Sequence, residues 1–141
     1  MFGAFKSNKK AAPARILVVD DESDCLSIIQ CRLEWCNYEV ITASNGAEGL
    51  QIAENENPDI VLLDTNMPVM DGHEMLVRMR KHPILKDTPV IMVTAICGMQ
   101  DIEAAAALGI ADYITKPVDF TSLLEKISNI LGNGLSKSTK N

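Results

Sequence analysis

Five short apolar segments recur along the chain, and each is followed by a longer segment whose apolar residues return every three or four positions. The short segments, residues 16–20, 39–43, 60–64, 90–94 and 112–115, are predicted to be strands. The longer segments, residues 23–36, 47–54, 71–81, 99–108 and 120–131, are predicted to be helices. This regular alternation predicts an α/β fold, in which helices cover both faces of a parallel sheet.

The apolar content of each strand predicts its place in the sheet. The first, third and fourth strands are apolar on both faces, as central strands are, whereas the second and fifth mix polar and apolar residues like edge strands. The strand order 2-1-3-4-5 with right-handed crossovers satisfies this pattern. The predicted fold is a flavodoxin-like (βα)5 three-layer sandwich, whose ligands bind beyond the carboxyl ends of the strands.

The two ends of the chain differ from the middle in composition and charge. Residues 1–14 are predicted to form a flexible basic arm and residues 132–141 a disordered tail, which leaves one domain over residues 15–131. The net charge is −6, yet both ends are basic, so the domain itself is strongly acidic. This acidity argues against nucleic acid as a direct partner and favours cation binding. The sequence lacks an apolar run of the roughly 18 residues needed to span a membrane, and we expect a cytoplasmic protein.

Chemically reactive residues stand at the ends of four predicted strands. The first strand ends in Asp20 and Asp21, the third in Asp64 and the fourth in Thr94, and the fifth leads into Lys116. Parallel strands of this fold point their carboxyl ends to one edge, so these side chains are expected to converge. Three carboxylates repel one another, and a hard cation such as Mg²⁺, with Mn²⁺ as a substitute, relieves that repulsion. A hydroxyl and an ammonium group suit the oxygens of a phosphoryl group.

This set predicts transfer of a phosphoryl group to a carboxylate. Asp64 ends a central apolar strand, where its position is most fixed, and is the predicted nucleophile. Asp20 and Asp21 are predicted to bind the metal together with Asp64 and the backbone carbonyl of Asn66. Taken singly, each acid is more often a helix cap, a turn residue or a helix-dipole partner. Their joint placement at one edge of one sheet favours the site.

Four motifs resemble the response-regulator receiver domain of two-component signalling. They are VVDDE at residues 18–22, LDTNMPVMDG at 63–72, VTA at 93–95 and DYITKP at 112–117, and the resemblance covers residues 15–131. It implies that Asp64 accepts a phosphoryl group from a histidine kinase or a phosphotransfer protein. It also implies that Thr94 and Lys116 hold the phosphoryl oxygens, and that Thr94 and Tyr113 act as switch residues. In such proteins this switch remodels the face formed by the fourth helix, fifth strand and fifth helix.

The resemblance also has local consequences and departures. The bond between Lys116 and Pro117 is often cis in this family, and proline is the one residue for which that is inexpensive. Ile96 is an apolar residue two positions after Thr94. Asn66 and Ile96 flank the phosphoryl group in the family, so both are predicted to influence water access and the lifetime of the phosphate.

A second apolar stripe on the first predicted helix indicates a partner surface. Cys25, Ile28 and Trp35 follow helical spacing, separate from the core stripe of the same helix. In the family this end of the helix docks the phosphodonor, so Cys25 and Ile28, with Pro117, are candidate partner-binding residues. The alternative is that Trp35 covers the sheet edge and Ile28 packs beneath a loop. The cysteines match no zinc spacing and are expected to be free, buried thiols.

The predicted protein is a stand-alone receiver, not an enzyme, which signals by binding a downstream protein target as a monomer or as a phosphorylation-dependent dimer. One alternative is a binding module that works independently of phosphorylation. A second is an aspartyl-phosphate hydrolase of the haloacid-dehalogenase type, which needs another aspartate two residues after the nucleophile. Asn66 occupies that position, which argues against the hydrolase.

Overall fold

The computed structural model describes residues 12–95 and 99–140. The strands are β1 (Arg15–Val19), β2 (Glu39–Ala43), β3 (Ile60–Asp64), β4 (Val90–Thr94) and β5 (Asp112–Thr115). The helices are α1 (Ser23–Trp35), α2 (Gly46–Glu56), α3 (Gly72–Lys81), α4 (Met99–Ala107) and α5 (Phe120–Lys140). β1 is shifted by one residue from its predicted range of 16–20, and the other four strands agree with the sequence prediction at both ends.

The five strands form one parallel sheet in the order β2-β1-β3-β4-β5, which confirms the predicted topology. Every residue of β3 and β4 is buried, as expected for central strands. The sequence pattern succeeds because a strand covered on both faces removes every side chain from water. Burial of one large apolar side chain stabilises the fold by about 1.5–3 kcal/mol.

The sheet divides the core into two layers because successive side chains of a strand point to opposite faces. One layer packs Ile16, Val18, Ile60, Leu62, Ile91, Val93 and Ile114 against residues of α1 and α5; we call it the α1/α5 face. The other packs Leu17, Val19, Val61, Leu63, Val90 and Met92 against residues of α2, α3 and α4; we call it the α2–α4 face. This alternation decides to which side each residue at the end of a strand points.

Side-chain caps explain where two helices begin. The Asn45 carboxamide oxygen accepts a hydrogen bond from the Glu48 backbone N–H at 2.9 Å, so Asn45 caps the start of α2. The Asp71 carboxylate accepts in the same way from the Glu74 N–H at 2.9 Å and begins α3. Glu22 is the cap residue of α1, but its side chain makes no capping hydrogen bond. That side chain instead lies 3.3 Å from the Lys116 ammonium.

The end of α5 corrects the sequence prediction. The helix was expected to stop at Leu131, before Gly132 and a disordered tail over residues 132–141, but α5 continues to Lys140. Gly132 does not take the positive φ that ends many helices, whereas Gly109 after α4 does, with φ 75°. A glycine inside a helix costs only about 1 kcal/mol relative to alanine, and no proline follows to stop the helix. Within the described residues, none of the helices combines the length and apolarity needed to cross a membrane.

Candidate functional site

Three charged side chains come together at the carboxyl edge of the sheet because of strand alternation. Asp20, Asp64 and Lys116 each stand two residues after a residue of the α1/α5 face: Val18, Leu62 and Ile114. All three side chains therefore point to the α1/α5 side of the edge. The Lys116 ammonium lies 3.2 Å from Asp20 Oδ2 and 3.5 Å from Asp64 Oδ2. The predicted convergence of these residues is present in the structure.

The two carboxylates are almost completely removed from water, since Asp20 is 1% and Asp64 4% exposed. Burial, followed by repulsion from Asp20, raises the pKa of Asp64 to about 6. Burial alone would lower the pKa of Lys116, but the Asp64 and Asp20 carboxylates outweigh it and raise that pKa. Near neutral pH the site therefore holds an ammonium charge beside the Asp64 carboxylate, which loses its proton at a higher pH than an ordinary aspartate.

The acidic cluster has the donor set of a hard-cation site. Ligand oxygens of Asp20, Asp21 and Asp64 all lie within 4.8 Å of one another. Asp20 Oδ2 is buried and accepts no directed hydrogen bond, although the Lys116 ammonium is 3.2 Å away. A buried carboxylate oxygen without a hydrogen bond is costly, and a divalent cation would satisfy it. These residues therefore fit Mg²⁺.

Asn66 shapes the rim of the same site. Its backbone N–H donates a hydrogen bond to Asp64 Oδ1 at 3.3 Å. A cavity of about 280 Å³ opens between Asn66, Asp21, Ala95 and Lys116 and reaches Asp64. The arrangement leaves the Asp64 carboxylate accessible from one side while the sheet and helices bury the rest of it.

The two predicted switch residues lie on β4 and β5. Thr94 ends β4 and is 1% exposed; its hydroxyl donates to the Ala95 carbonyl oxygen at 3.3 Å and accepts from the Thr65 hydroxyl at 3.4 Å. Tyr113 lies on the edge strand β5 and is 38% exposed. The roles assigned to both residues stay predictions.

The loop that leaves Asp64 is fixed by close backbone contacts. A side chain at Gly72 would collide with the Asp64 carbonyl, so only glycine fits there. The Gly72 N–H donates to the Thr65 carbonyl at 3.2 Å, and the Gly46 N–H at the start of α2 donates to the Met70 carbonyl at 3.1 Å. The segment 67–72 is thereby held against both β3 and α2.

Val69 is strained within this loop, and replacing it with glycine is expected to stabilise the fold by about 1 kcal/mol. Val69 has φ 72°, a conformation that a β-branched side chain adopts only at a cost, and it is 85% exposed, so few contacts offset that cost. The measurement is the free energy of unfolding in urea for wild type, Val69→Gly and Val69→Ala. The alanine variant keeps a Cβ atom and is the control. A glycine variant no more stable than the alanine variant would contradict the strain.

The second apolar stripe of α1 is exposed at Ile28 and Trp35, whereas Cys25 is half-buried and packs against the α1/α5 face. Trp35 is 86% and Ile28 54% exposed, so the alternative in which Trp35 covers the sheet edge and Ile28 packs beneath a loop is wrong. Cys31 and Cys36 are exposed, which corrects the expectation of buried thiols, although they are free as predicted. The outer surface of α1 therefore presents apolar and thiol groups to solvent.

A groove of about 670 Å³ lies between the start of α1 and the segment that joins β5 to α5. Its lining comprises Glu22, Ser23, Asp24, Cys25, Ile28, Ile29, Lys116, Pro117, Val118 and Phe120. The three candidate partner-binding residues Cys25, Ile28 and Pro117 thus share one groove, and the Lys116–Pro117 bond in it is cis. Burial, followed by the charge of Asp20, raises the pKa of the Cys25 thiol to about 11, so this thiol is protonated at neutral pH.

Two residues were missed by reasoning from the sequence. Glu22 Oε1 lies 3.3 Å from the Lys116 ammonium, and Glu22 and Lys116 line both the groove and the Asp64 cavity. In the sequence, Glu22 could have been noticed as the third acidic residue of the motif at residues 18–22. Thr65, directly after Asp64, contacts Thr94. In the sequence it could have been noticed as a polar residue that directly follows an apolar strand. Ile96 and Cys97 lie outside the described residues.

The response regulator receiver domain family is matched by residues 16–128. The chain belongs to this family. Receivers are signalling domains rather than classical enzymes, which agrees with the prediction of a non-enzymatic protein. As a receiver of two-component signalling, it has the predicted flavodoxin-like fold, shared with solved structures of the same family.

Two solved receivers illustrate the similarity. A CheY-like response regulator receiver domain protein from Methanospirillum hungatei aligns with a TM-score of 0.83 at 34% identity, covering 89% of this chain and 99% of that one. Chemotaxis response regulator CheY4 of Vibrio cholerae aligns with a TM-score of 0.79 at 30% identity, covering 84% and 99%.

Curated relatives are longer proteins. The alkaline phosphatase synthesis transcriptional regulatory protein PhoP of Bacillus subtilis is 38% identical over 117 residues, which are 83% of this chain and 48% of PhoP. The transcriptional regulatory protein GlrR of Escherichia coli is 37% identical over 119 residues, 84% of this chain and 26% of GlrR. The receiver thus spans about half the length of relatives such as PhoP.

Proposed function

We propose that this receiver is a phosphorylation-controlled signalling switch, in which Asp64 is the phosphoacceptor. The observation that carries the proposal is the cluster at the open edge of the sheet, in which the Lys116 ammonium lies within 3.5 Å of both buried carboxylates, Asp20 and Asp64. A buried nucleophile beside a fixed ammonium and other metal-binding carboxylates suits phosphoryl transfer, where positioning and charge neutralisation supply most of the catalysis.

In the proposed reaction an Asp64 carboxylate oxygen attacks the phosphorus of a phosphohistidine. The new phosphorus–oxygen bond forms as the phosphorus–nitrogen bond breaks, and the imidazole of the donor takes the leaving electron pair and then a proton. Lys116 is within reach of the oxygens that gain charge, and its raised pKa keeps it protonated throughout. Asp64 must be ionised to attack, which its pKa of about 6 allows near neutral pH.

Asp20, Asp21 and Asp64, with the carbonyl of Asn66, are the residues that would hold Mg²⁺. When bound, Mg²⁺ neutralises the carboxylates and the transferring phosphoryl oxygens. Asp20 directly follows β1, and its carboxylate oxygen Oδ1 accepts a hydrogen bond from the Glu22 N–H at 2.9 Å. This hydrogen bond fixes the orientation of the carboxylate. Its Oδ2 atom remains for the cation.

The proposed output is a change on the surface formed by α4, β5 and α5. Thr94 would move its hydroxyl towards the phosphoryl group, and Tyr113 would leave its exposed position on β5. Such a two-state rearrangement converts a local charge change into a new binding surface. A monomer and a phosphorylation-dependent dimer both agree with this output.

The experiment that tests Asp64 uses an acyl phosphate as a small phosphodonor, with Mg²⁺, on wild type, Asp64→Ala and Asp87→Ala. Asp87 is an exposed carboxylate in the segment between α3 and β4, and its variant is the matched control. Wild type and Asp87→Ala are expected to acquire one acid-stable, base-labile phosphoryl group each, and Asp64→Ala none. An unlabelled wild type, or label retained by Asp64→Ala, would refute the proposal.

The groove beside α1 is the proposed docking site for the phosphodonor protein, a histidine kinase or a phosphotransfer protein. Its apolar lining includes Ile28, Pro117 and Val118, and it ends at Lys116, the residue that also lines the Asp64 cavity. A partner seated there would therefore present its phosphohistidine close to Asp64.

Replacing Ile28 with lysine is expected to slow phosphoryl transfer from the cognate kinase about tenfold, because a charge would be buried in an apolar contact. Phosphorylation by an acyl phosphate should stay at the wild-type rate, since Ile28 is not among the described residues that line the Asp64 cavity. The control is Ile84→Lys: Ile84 is 60% exposed in the segment before β4, outside the groove. An equal loss of phosphorylation rate with both phosphodonors in Ile28→Lys would contradict the docking role of Ile28.

The proposal also covers the direct partner of this receiver and its location. PhoP and GlrR are named transcriptional regulatory proteins and are longer than this chain. A downstream protein target is proposed as the direct partner here, on the strength of the acidic body, and a cytoplasmic location accompanies it. The relatives leave direct contact with nucleic acid open. A phosphorylation-independent binding module is the second candidate, favoured by the exposed stripe on α1, and the acyl phosphate experiment separates the two.

A further inference from the structure

A pair of buried hydroxyl groups lies between β3 and β4, next to the acidic cluster. Asp64 pairs with Val93 in the parallel register, so Thr65 and Thr94 are the next neighbours across the two strands. The Thr65 hydroxyl donates to the Thr94 hydroxyl at 3.4 Å, and the two residues are 9% and 1% exposed. This contact is a long hydrogen bond in a place that water does not reach.

The backbone of Thr65 is fixed on both sides. Its N–H donates to the Val93 carbonyl at 3.1 Å, and its own carbonyl accepts from the Gly72 N–H at 3.2 Å. Gly72 itself packs against the Asp64 and Thr65 backbone so closely that no side chain fits there. Thr65 is therefore a rigid support to which the Thr94 hydroxyl is attached.

Thr94 and Asp64 belong to opposite faces of the sheet. Asp64 shares the α1/α5 face with Leu62, whereas Thr65 and Thr94 continue the alternation of Leu63 and Met92 on the α2–α4 face. To donate a hydrogen bond to a phosphoryl group on Asp64, the Thr94 hydroxyl has to leave the α2–α4 side of the edge. That movement takes it away from Thr65.

We infer that Thr65 is a positioning residue which holds the Thr94 hydroxyl on the α2–α4 face and so opposes the phosphorylated conformation of this receiver. The inference rests on the proposed function of Asp64 and Thr94. Among the described residues, the Thr65 hydroxyl forms its side-chain hydrogen bond with Thr94 and not with the metal-binding carboxylates or Lys116, so it acts on the site through Thr94. When Thr94 turns to the phosphoryl group, the Thr65 hydroxyl loses its buried partner, which disfavours the turned state.

The size of the effect follows from the value of one buried hydrogen bond between neutral groups. A net contribution of that kind changes an equilibrium about two- to tenfold. Threonine and valine have nearly the same shape, so Thr65→Val removes the hydroxyl without opening a cavity. We therefore expect Thr65→Val to favour the turned state of Thr94 by about two- to tenfold, and Thr65→Ser, which keeps the hydroxyl, to resemble wild type.

The test is a titration with beryllofluoride, an analogue of the phosphoryl group on a carboxylate, in the presence of Mg²⁺. Binding is followed by the NMR signals of the backbone amides of residues 64–67 and 69–72. A ligand that selects one conformation binds more tightly when that conformation is more populated. Thr65→Val is expected to lower the half-saturating concentration about two- to tenfold, whereas Thr65→Ser stays near the wild-type value. Thermal unfolding of each variant checks that the fold is intact.

A double-mutant cycle separates positioning from a general effect on the fold. In a Thr94→Val background the Thr65→Val substitution should no longer change beryllofluoride binding, because the hydroxyl that it holds is absent. An unchanged half-saturating concentration in Thr65→Val, or the same shift in both backgrounds, would overturn the inference about Thr65. Failure of wild type to bind beryllofluoride, or equal binding by Asp64→Ala, would instead overturn the proposed function of Asp64.

Discussion

Replacing Lys116 with methionine is expected to lower the rate at which an acyl phosphate and Mg²⁺ phosphorylate Asp64 by about a hundredfold or more. Methionine keeps an unbranched apolar side chain but has no charge. The ammonium of Lys116 lies 3.2 Å from Asp20 and 3.5 Å from Asp64, so it is placed to stabilise phosphoryl oxygens as they approach. Without the ammonium, less positive charge offsets the repulsion between the two buried carboxylates and the oxygens of the incoming phosphoryl group.

The rate of incorporation of labelled phosphate, at saturating Mg²⁺, measures this effect. Lys126→Met is the matched control, because Lys126 also pairs with a carboxylate, Asp112, at 3.2 Å, but outside the acidic cluster. The control is expected to keep the wild-type rate. Circular dichroism before each assay shows that the variant is folded, since loss of Lys116 also removes the cation beside two buried carboxylates. A Lys116→Met protein that is folded and phosphorylated at the wild-type rate would exclude this role for Lys116.

Most of the architecture could be predicted because the buried strands consist almost entirely of apolar residues. In β3 and β4 every side chain leaves water, so the apolar runs begin and end where the strands do. The order of the strands followed from which of them are apolar on both faces. Asp20, Asp64 and Lys116 could be placed together for a related reason, since parallel strands bring their carboxyl ends to one edge and alternation puts these three residues on the same face.

The remaining features depend on tertiary contacts that the sequence pattern does not record. The exposure of Trp35 could not be predicted from the sequence of α1, because an apolar residue at helical spacing is usually buried, whereas none of the elements in the described part of the chain covers this one. The continuation of α5 past Gly132 was missed because glycine often follows the end of a helix but can also lie inside one. The contact of Thr65 with Thr94 needs the register between β3 and β4, and that register is fixed only when the whole sheet forms.

Replacing Asp64 with asparagine is expected to stabilise the folded protein at pH 7 by on the order of 1–3 kcal/mol, and the gain should disappear in acid. Burial, followed by repulsion from Asp20, raises the pKa of Asp64 from 3.8 to about 6. A carboxyl group whose pKa is higher in the folded than in the unfolded state favours folding when protonated. Its ionisation therefore weakens the fold progressively as the pH rises from about 4 to about 6, and the cost is complete at pH 7.

Urea unfolding of wild type and Asp64→Asn between pH 4 and pH 8, without divalent cations, measures this difference. The two curves should nearly meet near pH 4 and separate as the pH rises, with the asparagine variant more stable. Asp87→Asn, which changes an exposed carboxylate, should stay within about 0.5 kcal/mol of wild type throughout. Mg²⁺ should stabilise wild type and narrow the gap at pH 7, since a ligand of the folded state stabilises it and the variant lacks one ligand charge. A gap that is independent of pH, or a less stable asparagine variant at pH 7, would show that the Asp64 charge is not a cost to this fold.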